Sequence, residues 1–145
     1  MPLNTGQYTF SYGRDCQIVV QGPYGTVTIP NITMFEAKQK TKAIEVELMN
    51  GVNVAADLAK GWDGSIEISR GDPTLDQLFT QIESDFIDSG IYTFSSIYAY
   101  ITETTGVTTI QYEQVSMKLS DAGSYKGDEA VKQKIDFTAA RRRLL

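Results

Sequence analysis

The chain has little of the chemical equipment that enzymes use. It contains no histidine and a single cysteine, Cys16, among its 145 residues. A cysteine with no histidine lacks the usual base that activates a thiol nucleophile, and the same shortage disfavours zinc. Cys16 precedes an apolar strand and is interpreted as a small buried hydrophobe. The sequence has no glycine-rich phosphate loop and no EF-hand calcium loop, so we expect no metal and no cofactor.

Long hydrophobic runs and targeting signals are also missing. No apolar run approaches the ~20 residues of a membrane-spanning helix, so we expect no membrane insertion. The first six residues lack the features of a secretory signal, and we expect the chain to fold in a cytoplasm. The net charge of −5 opposes adhesion to nucleic acid. The basic run 141–143 is only weak evidence for nucleic-acid binding.

What the sequence does contain is β-strand pattern. Its length suits one domain, 1–145. Alternating apolar residues and β-branched content predict a mainly β fold, an antiparallel β-sandwich or small barrel with one packed α-helix. We expect about eight strands, at 17–21, 26–29, 32–40, 42–49, 62–70, 92–103, 107–119 and 131–139. A shift of apolar phase within 107–119 predicts a β-bulge near Glu113.

One helix is predicted between the strands at 62–70 and 92–103. Asp72 is a favourable N-cap, Pro73 suits the first helical position, and Gly90 suits the end. Apolar residues at helical spacing form a stripe that we expect to pack on the sheet. The stripe consists of Leu75, Leu78, Phe79, Ile82 and Phe86.

Residues 50–60 interrupt the strand pattern. Gly51 stands near the start, Gly61 ends the segment, and the run between them is weakly helix-like. The segment is too long for a hairpin turn, so we interpret it as a long loop that is functional, disordered or held by a partner. Its apolar residues argue against simple disorder. The preceding strand, 42–49, has alternating apolar and acidic residues and is expected to bury one face and expose the other.

Two functional alternatives rest on the residues themselves. Carboxylates at predicted polar strand positions suggest a glycosidase, but such a site needs two acids held across a cleft, and solvated strand faces are commoner. Aromatic residues, Trp62 and Tyr98 foremost, suggest a carbohydrate-binding β-sandwich, although strand aromatics more often pack in cross-strand pairs. The carbohydrate module remains the alternative from a different functional class, and an enzyme ranks third.

Several short motifs, taken in order, resemble the tail tube proteins of contractile-tailed bacteriophages, which are related to the tube proteins of contractile injection and type VI secretion systems. The motifs cover most of the chain, and their order and spacing carry the resemblance. They are the Gly22-Pro23-Tyr24-Gly25 hairpin, the long segment ending in Gly61-Trp62-Asp63-Gly64, the strand 66–70 with its helix, the loop 121–127 and the closing run 135–143.

The resemblance implies a structural virion protein and no enzyme. In that family six copies form a ring, and rings stack into the inner tail tube through which DNA is ejected. Its expected partners are other copies of itself, a tail sheath, a baseplate initiator and a tail terminator, and its expected location is the virion tail, assembled in the host bacterial cytoplasm. The related tube of an injection or secretion apparatus is the alternative within this fold.

The resemblance also assigns roles to residues. The segment at about 50–61 is expected to reach onto adjacent subunits, with contacts from Gly51, Val54, Leu58 and Trp62. DNA is expected to pass through the lumen without specific binding, because an acidic wall repels phosphate. We predict that the lumen is lined by Glu36, Glu45 and Glu47.

Overall fold

Strands dominate the structure, as the alternation predicted. The computed structural model describes residues 3–7, 9–10 and 16–145. Within those ranges the chain forms ten strands and one helix. They are β1 (Leu3–Asn4), β2 (Thr9–Phe10), β3 (Cys16–Gly22), β4 (Gly25–Thr28), β5 (Ile32–Glu47), β6 (Asn53–Ser69), α1 (Thr74–Ser89), β7 (Ser95–Glu103), β8 (Gly106–Asp121), β9 (Lys132–Ala139) and β10 (Arg141–Leu144).

All strand pairs are antiparallel. β1 and β2 pair with each other, and the other eight strands form one sheet in the order β4-β3-β7-β8-β9-β6-β5, with β10 alongside β8. β8 pairs with β7 and β10 along its first part and with β9 along its last part. The sheet therefore divides at β8 into two layers, which confirms the predicted mainly β fold with one helix.

A bulge in β8 marks this division. Glu113 and Gln114 both lie opposite the single residue Ser96 of β7, and Gln114 has a φ of 50°. The extra residue lets both Tyr112 and Val115 face the core, where each is buried. The bulge predicted near Glu113 is confirmed.

The inner faces of the two layers enclose one hydrophobic core. Along β9 every second residue is buried, as expected for a strand with one covered face. The buried aliphatic and aromatic side chains come from both layers and from the helix. They include Ile18, Val20, Ile66, Ile68, Leu75, Ile97, Ile110, Tyr112, Val115, Ile135 and Phe137.

The helix α1 begins one residue later than predicted and ends as predicted. The Asp72 carboxylate accepts a hydrogen bond from the Thr74 N–H at 3.1 Å. Hydrogen bonds from the Thr74 hydroxyl and from the Thr74 N–H favour the ionised carboxylate and lower the pKa of Asp72. Gly90 adopts the left-handed conformation with φ 72° and donates its N–H to the Phe86 carbonyl. No helix in the described ranges is long and apolar enough to cross a membrane.

The apolar stripe of α1 is only partly covered. Leu75 and Leu78 are buried, while Phe79 and Ile82 are half-buried. Contrary to the prediction, Phe86 is 54% exposed. Full burial is confined to the N-terminal half of the helix, so the stripe continues beyond the surface on which α1 packs.

The hairpin of β3 and β4 turns at Pro23 and Tyr24, as predicted. The Tyr24 hydroxyl hydrogen-bonds to the Asp85 carboxylate on α1. This contact, with the negative charge of Asp85 beside it, raises the pKa of Tyr24. It joins the hairpin to the helix.

One expected break between strands is wrong. The predicted break between strands at Thr41 does not exist, because β5 runs unbroken from Ile32 to Glu47. Lys40-Thr41-Lys42 has none of the glycine, proline or asparagine that favours a turn. Asp63 and Gly64 lie inside β6. A Cβ at Gly64 would collide with the Phe137 ring, so this glycine permits close packing instead of a turn.

Candidate functional site

The far ends of β5 and β6 project from the two-layered body as a two-stranded arm, residues 41–60. Seven cross-strand pairs, from Thr41–Ala59 to Glu47–Asn53, hold the arm together. At about 3.4 Å per residue, the paired part of the arm extends roughly 20 Å. Every residue of the arm is exposed. The expectation of a loop with a helix-like run at 50–60 is wrong, because β5 provides a pairing partner along the whole segment.

The tip of the arm is a tight turn at Asn50-Gly51. Gly51 has a φ of 84° and donates its N–H to the Leu48 carbonyl at 2.9 Å. The Asn50 side chain accepts from the Val52 N–H at 3.1 Å. Asn-Gly is a strong short-range hairpin signal. The Asn50-Gly51 pair indicated a hairpin at this position, whereas residues 50–60 were predicted as a long loop.

The arm has two chemically different faces. The cross-strand pairs Ile44–Ala56 and Val46–Val54 lie on one face, with Leu58 paired to Lys42 at its inner end. We call this the apolar arm face and define it by Lys42, Ile44, Val46, Val54, Ala56 and Leu58. The opposite face carries Glu45, Glu47 and Asp57.

The described part of the chain does not cover the apolar arm face. Ile44 is 40% exposed and Val46 is 49% exposed. The expectation that one face of 42–49 is buried is therefore wrong for the single chain. Alternation correctly indicated an apolar face but could not indicate what covers it. An exposed apolar surface of this kind is typical of interaction sites.

The arm leaves the body at a bulge that is fixed by close packing. Lys60 is an extra residue in β6, between the pairs Lys40–Gly61 and Thr41–Ala59. Gly61 is buried, has a φ of 110°, and a Cβ there would lie 2.7 Å from the Ala139 carbonyl oxygen. Only glycine fits this conformation and spacing, so the bulge holds the base of the arm against β9.

Trp62 lies in the body just beyond this bulge, and not in the arm. It is half-buried, and its ring meets Tyr112 edge-on with centroids 6.2 Å apart. The Arg142 guanidinium lies over the same ring at 4.8 Å from its centroid. The indole is thus engaged by its own chain. The other residues expected to contact neighbouring subunits, Gly51, Val54 and Leu58, do lie on the arm.

Strand parity separates the acids that were expected to line a lumen. No bulge interrupts β5 between Glu36 and Glu47, so Glu36 points to the opposite side from Glu45 and Glu47. Glu36 forms an ion pair with Lys38 at 3.5 Å. The neighbouring strands place lysines beside the remaining acids of this outer face, with Glu67 paired to Lys134.

The residues considered for catalysis and sugar binding form no enclosed site. The charged outer face around Glu36, Asp63 and Asp136 is an open depression. Among the described residues, no cluster of three or more acids, histidines or cysteines is placed to hold a metal. Tyr98 and Tyr100, two positions apart on β7, stack on each other with centroids 6.4 Å apart.

The sequence matches no protein-family model, and a search of curated proteins found no match. The fold does match solved structures. A chain in the sheath/tube terminator of an extracellular contractile injection system, PVC, aligns with a TM-score of 0.68 at 15% identity, over 100% of this chain and 97% of that one. A chain of the PVC sheath–tube complex aligns with 0.66 at 15% identity, over 89% and 88%.

The tube-terminating cap of the anti-feeding prophage gives a TM-score of 0.66 at 14% identity, over 99% of this chain and 95% of that one. Likeness at this level of identity shows shared fold. The resemblance to tail tube proteins, drawn from short motifs, is thereby confirmed at the level of fold over nearly the whole chain.

Proposed function

We propose that this chain is the tube subunit of a contractile, phage-like tail. Copies associate into rings, six to a ring as the resemblance implies, and the rings stack into a hollow tube. The observation that carries the proposal is the arm: it presents an apolar face to solvent on a fold shared with tube and tube-terminator components. A two-stranded arm is marginally stable alone in water, and a neighbouring copy supplies the missing cover.

The free sheet edges support the same proposal. The sheet ends at β4 on one side and at β5 on the other. β5 is 16 residues long, and a long open edge exposes unpaired backbone groups that promote uncontrolled association. Ring closure pairs such edges between copies. The expected further partners are a sheath, a baseplate initiator and a terminator.

Electron microscopy of the concentrated, purified protein tests this function directly. We expect rings or stacked cylinders with a stain-filled centre, with a purified baseplate added if an initiator is needed. The double variant Val46→Asp with Leu58→Asp should abolish them. Val107→Asp is the matched control, because Val107 is an equally apolar, 60% exposed residue outside the arm. Persistent monomers of the unchanged protein with baseplate present would refute the proposal.

For cargo, we propose DNA passing a lumen lined by Glu45 and Glu47 on the acidic arm face. Negative charge repels phosphate and prevents adhesion. Glu36 adds little to this field because Lys38 neutralises it. Tubes of Glu45→Lys with Glu47→Lys should assemble normally but retain short duplex DNA, whereas Glu36→Lys should retain much less. Equal retention by both variants would place the lumen elsewhere.

A second candidate is the tube of a contractile injection system that transports protein. It is favoured by the fold matches at 0.66 and 0.68, which come from such systems. The two candidates differ in content: particles isolated from producing cells carry nuclease-protected DNA in the first case and protein cargo without DNA in the second.

A further inference from the structure

A second apolar surface lies away from the arm, where α1 ends. Phe86 and Ile87 occupy the last turns of the helix, and Ile91 and Phe94 follow it before β7. Their side chains are 54%, 69%, 65% and 56% exposed. We call these four residues the helix-end patch. These four large, exposed apolar side chains lie within residues 86–94, and exposed apolar groups of this kind are typical of interaction sites.

The surroundings of the helix-end patch are acidic. Residues 83–89 include Glu83, Asp85 and Asp88, and the last turn of α1 contains no basic residue. Glu83 precedes Phe86 by three positions and Ile87 by four, so it lies on the same side of the helix. The C-terminal end of the helix dipole adds further negative potential. The patch therefore favours an apolar partner that carries positive charge.

The apolar arm face has these properties. Its one charged residue is Lys42, at the inner end of the apolar row, while the acids of the arm point the other way. Neither Lys42 nor Glu83 forms an ion pair with another described residue. An apolar row with a lysine at one end matches an apolar patch with a glutamate at one side.

We infer that the apolar arm face of one copy docks on the helix-end patch of the next copy, with Lys42 facing Glu83. This rests on the proposed function and names the surface that receives the arm. The two surfaces are different parts of the chain, so the contact is head-to-tail, the class that closes into rings or continues into filaments. It also gives the uncovered Phe86 a partner.

Cross-linking tests the pairing. Two variants are prepared on a Cys16→Ala background, one with Val46→Cys and one with Ile87→Cys, and are assembled as an equimolar mixture. Mild oxidation should give a disulfide-linked dimer, since a disulfide requires Cα atoms within about 7 Å. Because each chain has one cysteine, every disulfide that forms must join two chains. Val107→Cys mixed with Val46→Cys is the control and should remain unlinked.

Charge exchange tests it independently. Lys42→Glu and Glu83→Lys should each raise the protein concentration needed for assembly, by about fivefold for one exposed ion pair. The double variant should return it to the original value. A net-charge effect would instead move the two single variants in opposite directions, because Lys42→Glu makes the chain more negative and Glu83→Lys makes it less negative.

The outcomes separate the two claims. If the unchanged protein assembles but Val46→Cys links to neither Ile87→Cys nor an Ile91→Cys variant, and the charge exchange does not restore assembly, the docking inference is overturned while the tube function stands. Linking of the arm to an added sheath protein instead of to a second copy would also overturn it. If the unchanged protein never assembles with baseplate present, both fail.

Discussion

The body and the arm use the same two strands in opposite ways. In the body, Ile66 of β6 is fully buried between the two layers, whereas in the arm Ile44 of β5 is 40% exposed. Both are β-branched residues in the same antiparallel ladder, which the bulge at Lys60 divides into body and arm. The comparison teaches that backbone pairing and side-chain burial are separate requirements. The body meets both within one chain, and the arm meets only the first.

Charge follows the same division. On the outer face of the body, acids alternate with lysines across strands, as in the pairs Lys38–Asp63 and Glu67–Lys134. On the arm, the acids lie on one face and the apolar residues on the other. A face on which acids and lysines are mixed is suited to contact with solvent. A strand pair with acids on one face and apolar residues on the other is suited to contact with a partner on its apolar side.

The largest expected effect comes from equivalent truncations in the two regions. Ile66→Ala should lower the free energy of unfolding by about 2–5 kcal/mol, because it removes a fully buried side chain and leaves a cavity. Ile44→Ala should change it by less than about 0.5 kcal/mol in dilute protein and should weaken assembly instead. Urea denaturation and electron microscopy measure the two effects. Equal destabilisation by both variants would show that the arm packs on its own body.

The helix offers the same comparison between two phenylalanines. Phe79 is half-buried against the core and Phe86 is mainly exposed. Phe79→Ala should cost about 2 kcal/mol, roughly half the value for a fully buried ring. Phe86→Ala should cost less than about 0.5 kcal/mol in the monomer but should reduce assembly. A stability loss at Phe86 equal to that at Phe79 would mean that the end of α1 is covered in the free chain.

What the sequence predicted well depended on local signals. The turn at Pro23 and Tyr24, the helix end at Gly90 and the bulge near Glu113 each follow from a residue type or a phase shift within a few positions. The overall sandwich followed because alternation was clear in the strands that face the core.

The rest depended on long-range pairing that no local pattern contains. Residues 53–60 include three alanines and little β-branched content, so their strand state comes from pairing with β5. The helix stripe showed that Phe86 is on the apolar side but not where the underlying sheet ends. The apolar arm face was visible as alternation, yet its exposure was not.

Removing the arm should leave the body almost unchanged. A variant in which residues 42–59 are replaced by an Asn-Gly turn between Thr41 and Lys60 deletes only exposed residues. We expect a shift of the unfolding temperature within about 2 °C and complete loss of rings and tubes. Calorimetry and electron microscopy provide the two measurements. A shorter loop has a slightly lower entropic cost of closure, so a small stabilisation would also agree with this prediction. Gross unfolding of the variant would show that the body does not fold independently of the arm.

Thiol reactivity gives the smallest effect and the finest comparison. Cys16 is half-buried at the start of β3, and burial raises the pKa of its thiol because the charged thiolate is poorly solvated there. At pH 8 a raised pKa means a smaller thiolate fraction, so alkylation of Cys16 by iodoacetamide should be slower than in urea-unfolded protein. The alkylation rate of Cys16 should reach half of its maximum at a higher pH than in the unfolded protein.

The variant Val46→Cys on a Cys16→Ala background should react in dilute protein about as fast as when unfolded, because the arm is exposed. In assembled tubes it should become protected while Cys16 in the unchanged protein keeps the rate of the free chain. Such protection, confined to the arm, would show that assembly covers the region that the single chain leaves open; unchanged reactivity of the arm cysteine in tubes would mean that the apolar arm face is not the buried interface.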